Sequence, residues 1–137
     1  MMDAEDPNSS RDRARDFLVS GTDAERMWAL EYVGMSTDRP AAFGVARLLD
    51  ATVAPLALRL LAAATLGRLK DPSVVPSLDD CLKADPPAEV RRACVQALHR
   101  IGRKAALETL LKAGRDETDP VVAAEIAHAV ESMRSSR

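Results

Sequence analysis

Apolar residues along the chain recur at intervals of three and four positions, most clearly between residues 90 and 101. The members of this stripe are Val90, Ala93, Cys94, Ala97, Leu98 and Ile101. Such spacing places them on one face of an α-helix. Prolines at 86 and 87 precede the stripe and Gly102 follows it, which suits a helix start and a helix stop. The pattern predicts a helix that begins near residue 88 and ends at Gly102.

The same stripe recurs once upstream and once downstream, at an equal interval in both directions. The upstream copy is Leu58, Leu61, Ala62, Thr65, Leu66 and Leu69, and the downstream copy is Val122, Glu125, Ile126, Ala129, Val130 and Met133. A slightly longer interval finds a fainter copy in Trp28, Ala29, Tyr32 and Val33, which ends at Gly34. A fixed period of about 30 to 45 residues is typical of solenoids built from stacked repeats.

Shorter apolar stripes lie between these helices, at 40–50, 73–84 and 104–114. The repeating unit is therefore a helix, a short turn, a second helix and another short turn. We predict an all-α solenoid of about three helix pairs, with one further helix before the pairs and one after them. The predicted boundaries are a leading helix at 10–19, pairs at 23–50, 55–84 and 88–114, and a half repeat at 119–134. Residues 9–137 would form one domain after a disordered acidic N-terminus at 1–8.

The segment Asp85-Pro86-Pro87-Ala88-Glu89-Val90-Arg91-Arg92-Ala93, with Ala97 to Gly102 behind it, closely resembles the HEAT-like repeat of the phycobilisome-lyase type. Residues 55–82 and 119–133 resemble it moderately, and 23–50 poorly. The resemblance implies a short right-handed α-α superhelix of the armadillo-like kind, in which the second helices line the concave side. It is specific for fold and says little about activity.

The same resemblance implies a ladder of arginine and aspartate side chains between repeats. The arginine at the start of each first helix is present as Arg26, Arg59 and Arg91, and the turn aspartate as Asp38 and Asp71. In the last copies Ala123 replaces the arginine and Arg103 replaces the aspartate. A ladder of this type would therefore be interrupted at its C-terminal end.

Composition narrows the classes of partner. The 137 residues carry a formal charge of -2, with acids and bases interspersed, so no basic footprint predicts nucleic acid binding. No apolar run approaches the ~20 residues that cross a membrane, and the acidic first residues do not resemble a secretion signal. Cys81 and Cys94 lack metal-binding spacing and lie in predicted helices. We expect both cysteines to be reduced, Cys94 to be buried, and the protein to be cytoplasmic.

Few residues in the sequence suit catalysis. His99 and His128 are the only histidines, and their spacing offers no metal site. Asp79 and Asp80 are adjacent on a predicted helix, so their side chains point about 100° apart, which favours a solvated face over an acid–base pair. No glycine-rich phosphate loop is present. We expect a non-enzymatic protein without cofactor, metal or catalytic residues.

The second helices offer the clearest candidate binding surface. Positions off their buried stripes form rows across the repeats, and opposite charges alternate within the rows, which suits a protein partner better than a phosphate backbone. The predicted partner-binding residues are Phe43, Arg47, Asp50, Asp80, Lys83, Glu108, Lys112 and Arg115. Phe43 is either covered by Phe17 or Leu18 of the leading helix, or it is an exposed anchor. Trp28 is expected in the core, beside an off-stripe Met27.

These observations favour an adaptor that binds another protein through the concave face of the solenoid, and that is a monomer in preference to a homodimer. Two alternatives remain open. One is a bilin lyase or lyase-like chaperone, because phycobilisome-lyase-type proteins handle tetrapyrroles. The other is a HEAT-like nucleic-acid-binding protein, for which the chain lacks a basic groove.

An adaptor without lyase activity should leave a bilin unchanged. We expect the absorption spectrum of a bilin to be the same before and after incubation with the protein, as measured by visible spectroscopy. A shifted absorption band that grows with protein concentration would favour the lyase-like alternative.

Overall fold

The computed structural model describes residues 7–83 and 86–136, in which all of the regular elements are helical. The α-helices are α1 (Pro7–Ser20), α2 (Asp23–Ser36), α3 (Ala42–Arg47), α4 (Leu56–Leu69), α5 (Val75–Cys81), α6 (Ala88–Ile101), α7 (Lys104–Asp116) and α8 (Pro120–Ser135). Single 3₁₀ turns at Arg39–Ala41 and Pro72–Val74 lead into α3 and α5. Of the N-terminus predicted to be disordered, residues 1–6 lie outside the described residues, and α1 begins at Pro7.

The helices stack in the order that the repeats predict. The first helices of the pairs pack in sequence, α2 on α4, α4 on α6, and α6 on α8, while α1 packs on α2. The second helices α3, α5 and α7 lie beside α4, α6 and α8 respectively. A short all-α solenoid of three helix pairs, with a leading and a terminal helix, is therefore confirmed.

The stripe positions form the core of this stack. Ala29, Ala62, Cys94 and Ile126, which are equivalent in the four first helices, are all buried. So are Val33, Leu66 and Leu98, one turn further along. Each large aliphatic side chain buried in this way stabilises the fold by about 1.5 to 3 kcal/mol. Small and branched residues hold the first helices together, as the repeated stripe predicts.

Gly67 allows α4 and α6 to approach closely. A Cβ atom added at Gly67 would lie 3.2 Å from the backbone Cα atom of Ala97 and 3.2 Å from Cδ of Arg100. The equivalent Gly34, at which the fainter stripe ends, is buried within α2. Helix α2 continues to Ser36 and is capped by Thr37, which adopts the left-handed conformation with a φ of 49°. Close contact between helices, and not helix termination, explains the absence of a side chain at Gly34 and Gly67.

The second helices of the first two repeats are shorter than predicted. Pro40 and Pro72 lie in the 3₁₀ turns that precede α3 and α5, because proline fits the first turn of a helix but cannot donate a backbone hydrogen bond further along. Helix α3 then ends at Arg47 and α5 ends at Cys81. Each stops three residues before its predicted end, so the polar residues that follow belong to the loops.

A disulfide bond joins Cys81 at the end of α5 to Cys94 in α6. Both residues are buried, which confirms the predicted burial of Cys94. The expectation that the cysteines are reduced is wrong in this structure. Sequence spacing could not reveal the pair, because a loop and part of the next helix separate two cysteines whose Cα atoms lie 6.4 Å apart.

The described helices are shorter than helices that span a membrane. The longest described helix, α8, has 16 residues, whereas a membrane-spanning helix needs about 20 apolar residues. Across residues 7–83 and 86–136, no helix combines the length and the apolar character needed to cross a bilayer.

Reduction of the disulfide should destabilise the protein. The bond closes a loop of 13 residues in sequence, and a loop of this size restricts the unfolded chain by about 3 kcal/mol. We expect a phosphine reductant to lower the midpoint of urea unfolding of the natural protein. The double variant Cys81→Ala with Cys94→Ala should unfold at the same urea concentration with and without reductant. If the reductant leaves the urea midpoint of the natural protein unchanged, that result contradicts the presence of the bond.

Candidate functional site

Four of the predicted partner-binding residues line one groove. Arg47 and Asp50 come from the end of α3 and the loop behind it, and Asp80 and Lys83 from the end of α5 and its following loop. The groove encloses about 810 Å³. We call it the second-helix groove. Neighbouring second helices place these side chains together because they repeat at the same helical position, as the sequence rows predict.

The walls of this groove are apolar between the charges. Leu49 and Val53 contribute from the α3 side, and Pro86 and Pro87 from the loop that leads into α6. Cys81 also lines the groove, so the disulfide bond ties one wall to the core helix α6. Apolar walls between charged groups are the usual composition of a surface that binds protein.

Asp50 is held in its charged form by the loop behind α3. The backbone N–H of Thr52 donates to Oδ1 of Asp50 at 2.9 Å, and the Thr52 hydroxyl donates to the same oxygen at 2.9 Å. These two bonds lower the pKa of the Asp50 carboxyl group, since they favour its charged form. The groove therefore keeps a fixed negative charge beside Arg47.

A second, smaller groove of about 410 Å³ lies between α5 and α7. Its centre is Asp79, whose Oδ2 atom lies 3.2 Å from Nζ of Lys112 and 4.0 Å from Nζ of Lys83. The sequence rows placed Lys112 beside Asp80, whereas the structure pairs it with Asp79. The two carboxylates of this adjacent pair thus face different grooves, in agreement with the expectation that their side chains point apart.

This smaller groove is also lined by a nearly buried ion pair that sequence reasoning missed. The guanidinium group of Arg91 donates from Nε and Nη2 to the two carboxylate oxygens of Glu117, at 3.0 and 2.9 Å. It also donates from Nη1 to the backbone carbonyl of Pro86. The side chains of Arg91 and Glu117 are only 11% and 4% exposed. The pair joins α6 to the loop that leads into α8.

Arg26 and Arg91 of the predicted ladder bind groups other than the turn aspartates. Arg26 donates to the backbone carbonyls of Val19 and Val53, and Arg91 binds Glu117 as described. Asp38 instead accepts two hydrogen bonds from Arg15 of α1, at 2.9 and 2.6 Å. Asp71 caps the second 3₁₀ turn by accepting from the backbone N–H of Ser73. The ladder implied by the resemblance is replaced by ties from the helices to neighbouring loops.

A sequence signal for these ties exists in hindsight. Glu117 follows Arg91 by 26 residues, and Asp85 follows Arg59 by the same interval. Asp85 lies outside the described residues, while Arg59 lines the second-helix groove. An acidic residue 26 positions after the arginine is therefore a better sequence signal for such a tie than the turn aspartate.

The other predicted binding residues are more dispersed. Glu108 borders a groove of about 720 Å³ between α7 and α8, together with Arg103 and Lys104. Arg115 is exposed near the end of α7. Phe43 is 61% exposed, so the leading helix does not cover it. Leu18 of that helix packs instead near Gly44. The role of Phe43 as an anchor stays a prediction.

The two histidines of the chain lie together where α6 packs on α8. The rings of His99 and His128 lie edge to face with centroids 6.1 Å apart, and Nε2 of His99 forms a 3.1 Å hydrogen bond with the hydroxyl of Ser132. Within the part of the chain that the structure describes, no three histidine, cysteine, aspartate or glutamate side chains come together as metal ligands would.

Comparison with protein families agrees with this architecture. The family model described as HEAT repeats matches residues 45–131, which is more than half of the chain, so the protein belongs to the HEAT repeat family. The match spans α4 to most of α8 and includes the residues that line the second-helix groove. No curated protein gives a significant match to the sequence.

Loss of the Glu117 charge should destabilise the fold in a pH-dependent way. Hydrogen bonds from Arg91 lower the pKa of Glu117, so its stabilising effect is present above the ordinary glutamate pKa and is lost as the pH falls through the lowered value. We expect Glu117→Gln to cost about 2 kcal/mol at pH 7. Its deficit relative to the natural protein should shrink as the pH falls from about 5 to 3.

The measurement is urea unfolding followed by circular dichroism at each pH. Glu131→Gln is the matched control, because Glu131 is exposed on α8. It should unfold like the natural protein at pH 7. Equal stability of both variants at pH 7 would show that the ion pair contributes nothing.

Proposed function

We propose that the protein is a non-enzymatic adaptor that binds another protein through the second-helix face of the solenoid. The observation that carries the proposal is the second-helix groove, where Arg47, Asp50, Asp80 and Lys83 surround apolar walls. Stacked helical repeats typically use such continuous surfaces to hold other molecules. We assign this groove to the concave face that the family resemblance implies.

The charge arrangement favours a protein partner over nucleic acid. Arg47, Arg59 and Lys83 bring positive charge to the groove, and Asp50 and Asp80 bring negative charge. A phosphate backbone would meet the two carboxylates at close range, which costs affinity. A protein surface can present acids and bases in the complementary order, and such complementarity selects the partner and its orientation.

An exposed aromatic ring supports the same proposal. Phe43 exposes an aromatic ring on α3, the helix that also contributes Arg47. Exposed aromatic residues beside charged rims are the side chains that most often dominate protein–protein affinity. We propose Phe43 as an anchor at the N-terminal end of the binding face, with Glu108, Lys112 and Arg115 extending the face along α7.

The bonding of the cysteines favours a binding role over thiol chemistry. Both cysteines are joined to each other, so a nucleophilic thiolate forms only after reduction. A lyase activity of the phycobilisome-lyase type, which the repeat sequence resembles, would therefore find both cysteine thiols oxidised in this structure. A lyase-like function stays an alternative, to be decided by the bilin spectrum.

The cellular compartment is the part of the proposal on which sequence and structure differ. A cytoplasmic location was the expectation from the sequence, and it stays a prediction. The Cys81–Cys94 bond weighs against it, because the cytosol keeps most thiols reduced. Mass measurement of the protein from its natural source, without reductant, distinguishes the two states by the hydrogens lost on bond formation.

Charge reversal in the groove should abolish partner binding without unfolding the protein. We expect the double variant Arg47→Glu with Lys83→Glu to lose its partner in affinity purification followed by mass spectrometry. The amount of recovered partner should fall by about tenfold or more. The helical content should stay constant in circular dichroism, because both side chains are exposed.

The matched control is Arg13→Glu with Lys70→Glu. It makes the same change in net charge at two exposed positions, on α1 and directly after α4, neither of which lines the groove. We expect this control to keep the partner that the natural protein recovers. Equal recovery by the groove variant and the control would move the binding site to another surface.

A further inference from the structure

The outer face of α2 exposes large apolar side chains that the repeat does not require. Met27 is 41% exposed, Trp28 is 40% exposed and Met35 is 75% exposed. We call these three residues the α2 patch. The expectation that Trp28 belongs to the core is therefore wrong. The patch lies on a first helix and is separate from the residues that line the second-helix groove.

Aromatic contacts hold the indole ring of Trp28 in a defined orientation. The ring of Phe17 from α1 meets it edge to face, with centroids 5.9 Å apart. The ring of Tyr32 also stacks on it, with centroids 5.4 Å apart. A side chain fixed by two neighbours loses little conformational entropy when a ligand covers it. Trp28 is thus a preorganised apolar surface beside two flexible methionines.

Comparison of the repeats shows that the patch is particular to the first one. When the first helices are aligned on their buried stripes, Met35 corresponds to Arg68 and Arg100. These two arginines pack over the buried glycines of the preceding helices. The first repeat has methionine where the others have a charged side chain, and so packing within the solenoid does not explain it.

Carboxylates alternate with the methionines along the same face. Asp23, Met27, Glu31 and Met35 follow one another at every fourth position and are all exposed. Side chains four apart on a helix are neighbours, so each methionine lies beside an acid. The arginine of α2, Arg26, is bound to backbone carbonyls. On α2 itself the patch therefore alternates apolar and acidic side chains, and the side chain of Arg68 from α4 borders it at Gly34.

We propose that the α2 patch binds a basic amphipathic helix of a partner protein. Methionine is polarisable and flexible, which suits a surface that receives the apolar face of a helix. Lysines or arginines beside that apolar face would pair with Asp23 and Glu31. The same two carboxylates oppose a membrane of anionic lipids. They would also meet each other in a symmetric contact with a second copy of the chain.

The single tryptophan of the chain reports directly on this surface. The probe is a synthetic helix of about 18 residues, made of leucine and lysine at amphipathic spacing and free of tryptophan. We expect titration with this peptide to shift the emission of Trp28 to shorter wavelength and to reach saturation. A peptide with glutamate in place of every lysine should produce no saturable shift.

Two matched variants separate apolar docking from simple charge attraction. Met35→Glu should weaken binding of the leucine–lysine peptide by about tenfold or more, although the added negative charge alone would strengthen it. Val121→Glu makes a similar change at another exposed apolar residue, 59% exposed on α8, and should bind the peptide as the natural protein does. Glu31→Lys should also weaken binding. All three variants keep Trp28, and each titration is compared with the emission of the same variant without peptide.

Several results would overturn the proposal. Binding of equal strength by Met35→Glu and Val121→Glu would show that the peptide is held by charge elsewhere. A saturable shift with the leucine–glutamate peptide would remove the role of Asp23 and Glu31. A shift with anionic lipid vesicles but not with the peptide would make the patch a membrane surface. A shift with protein concentration alone, together with a doubled mass in light scattering, would make it a homodimer interface.

Discussion

The close packing of each first helix on the next is the interaction on which the rest of the structure depends. Helices α4 and α6 approach until Gly67 lies against the backbone of Ala97, and buried aliphatic residues fill the stripe on either side. This contact sets the spacing and direction of the stack. The second helices attach to the side of that stack, and so the position of every groove residue follows from it.

Hydrogen bonds, an ion pair and a disulfide bond hold the loops in fixed positions against the stacked helices. Arg26 and Arg91 reach from first helices to the loops that follow the second helices, and the disulfide bond fixes the end of α5 to α6. Such links restrain loops, which otherwise move independently of the core. A groove whose walls are held in this way can present fixed charges to a partner without a large cost in ordering.

Some positions of the repeat do not contribute to packing, and the residues at these positions differ between copies. On the second helices those positions carry charges of both signs around the second-helix groove. On α2 they carry methionine and tryptophan between carboxylates. One surface lies on a first helix and the other on the second helices α3 and α5. They differ in chemistry, and so we propose a different partner for each.

The sequence by itself determined the helical repeat, the buried stripe and the order of the helices, because these depend on local periodicity that recurs in each copy. It also placed Arg47, Asp50, Asp80 and Lys83 on one face. Only the tertiary structure decided which side chains meet. Lys112 pairs with Asp79, Arg91 with Glu117, and Cys81 with Cys94, since contacts between elements depend on how helices are rotated and spaced when they pack, which the spacing of residues along one helix does not specify.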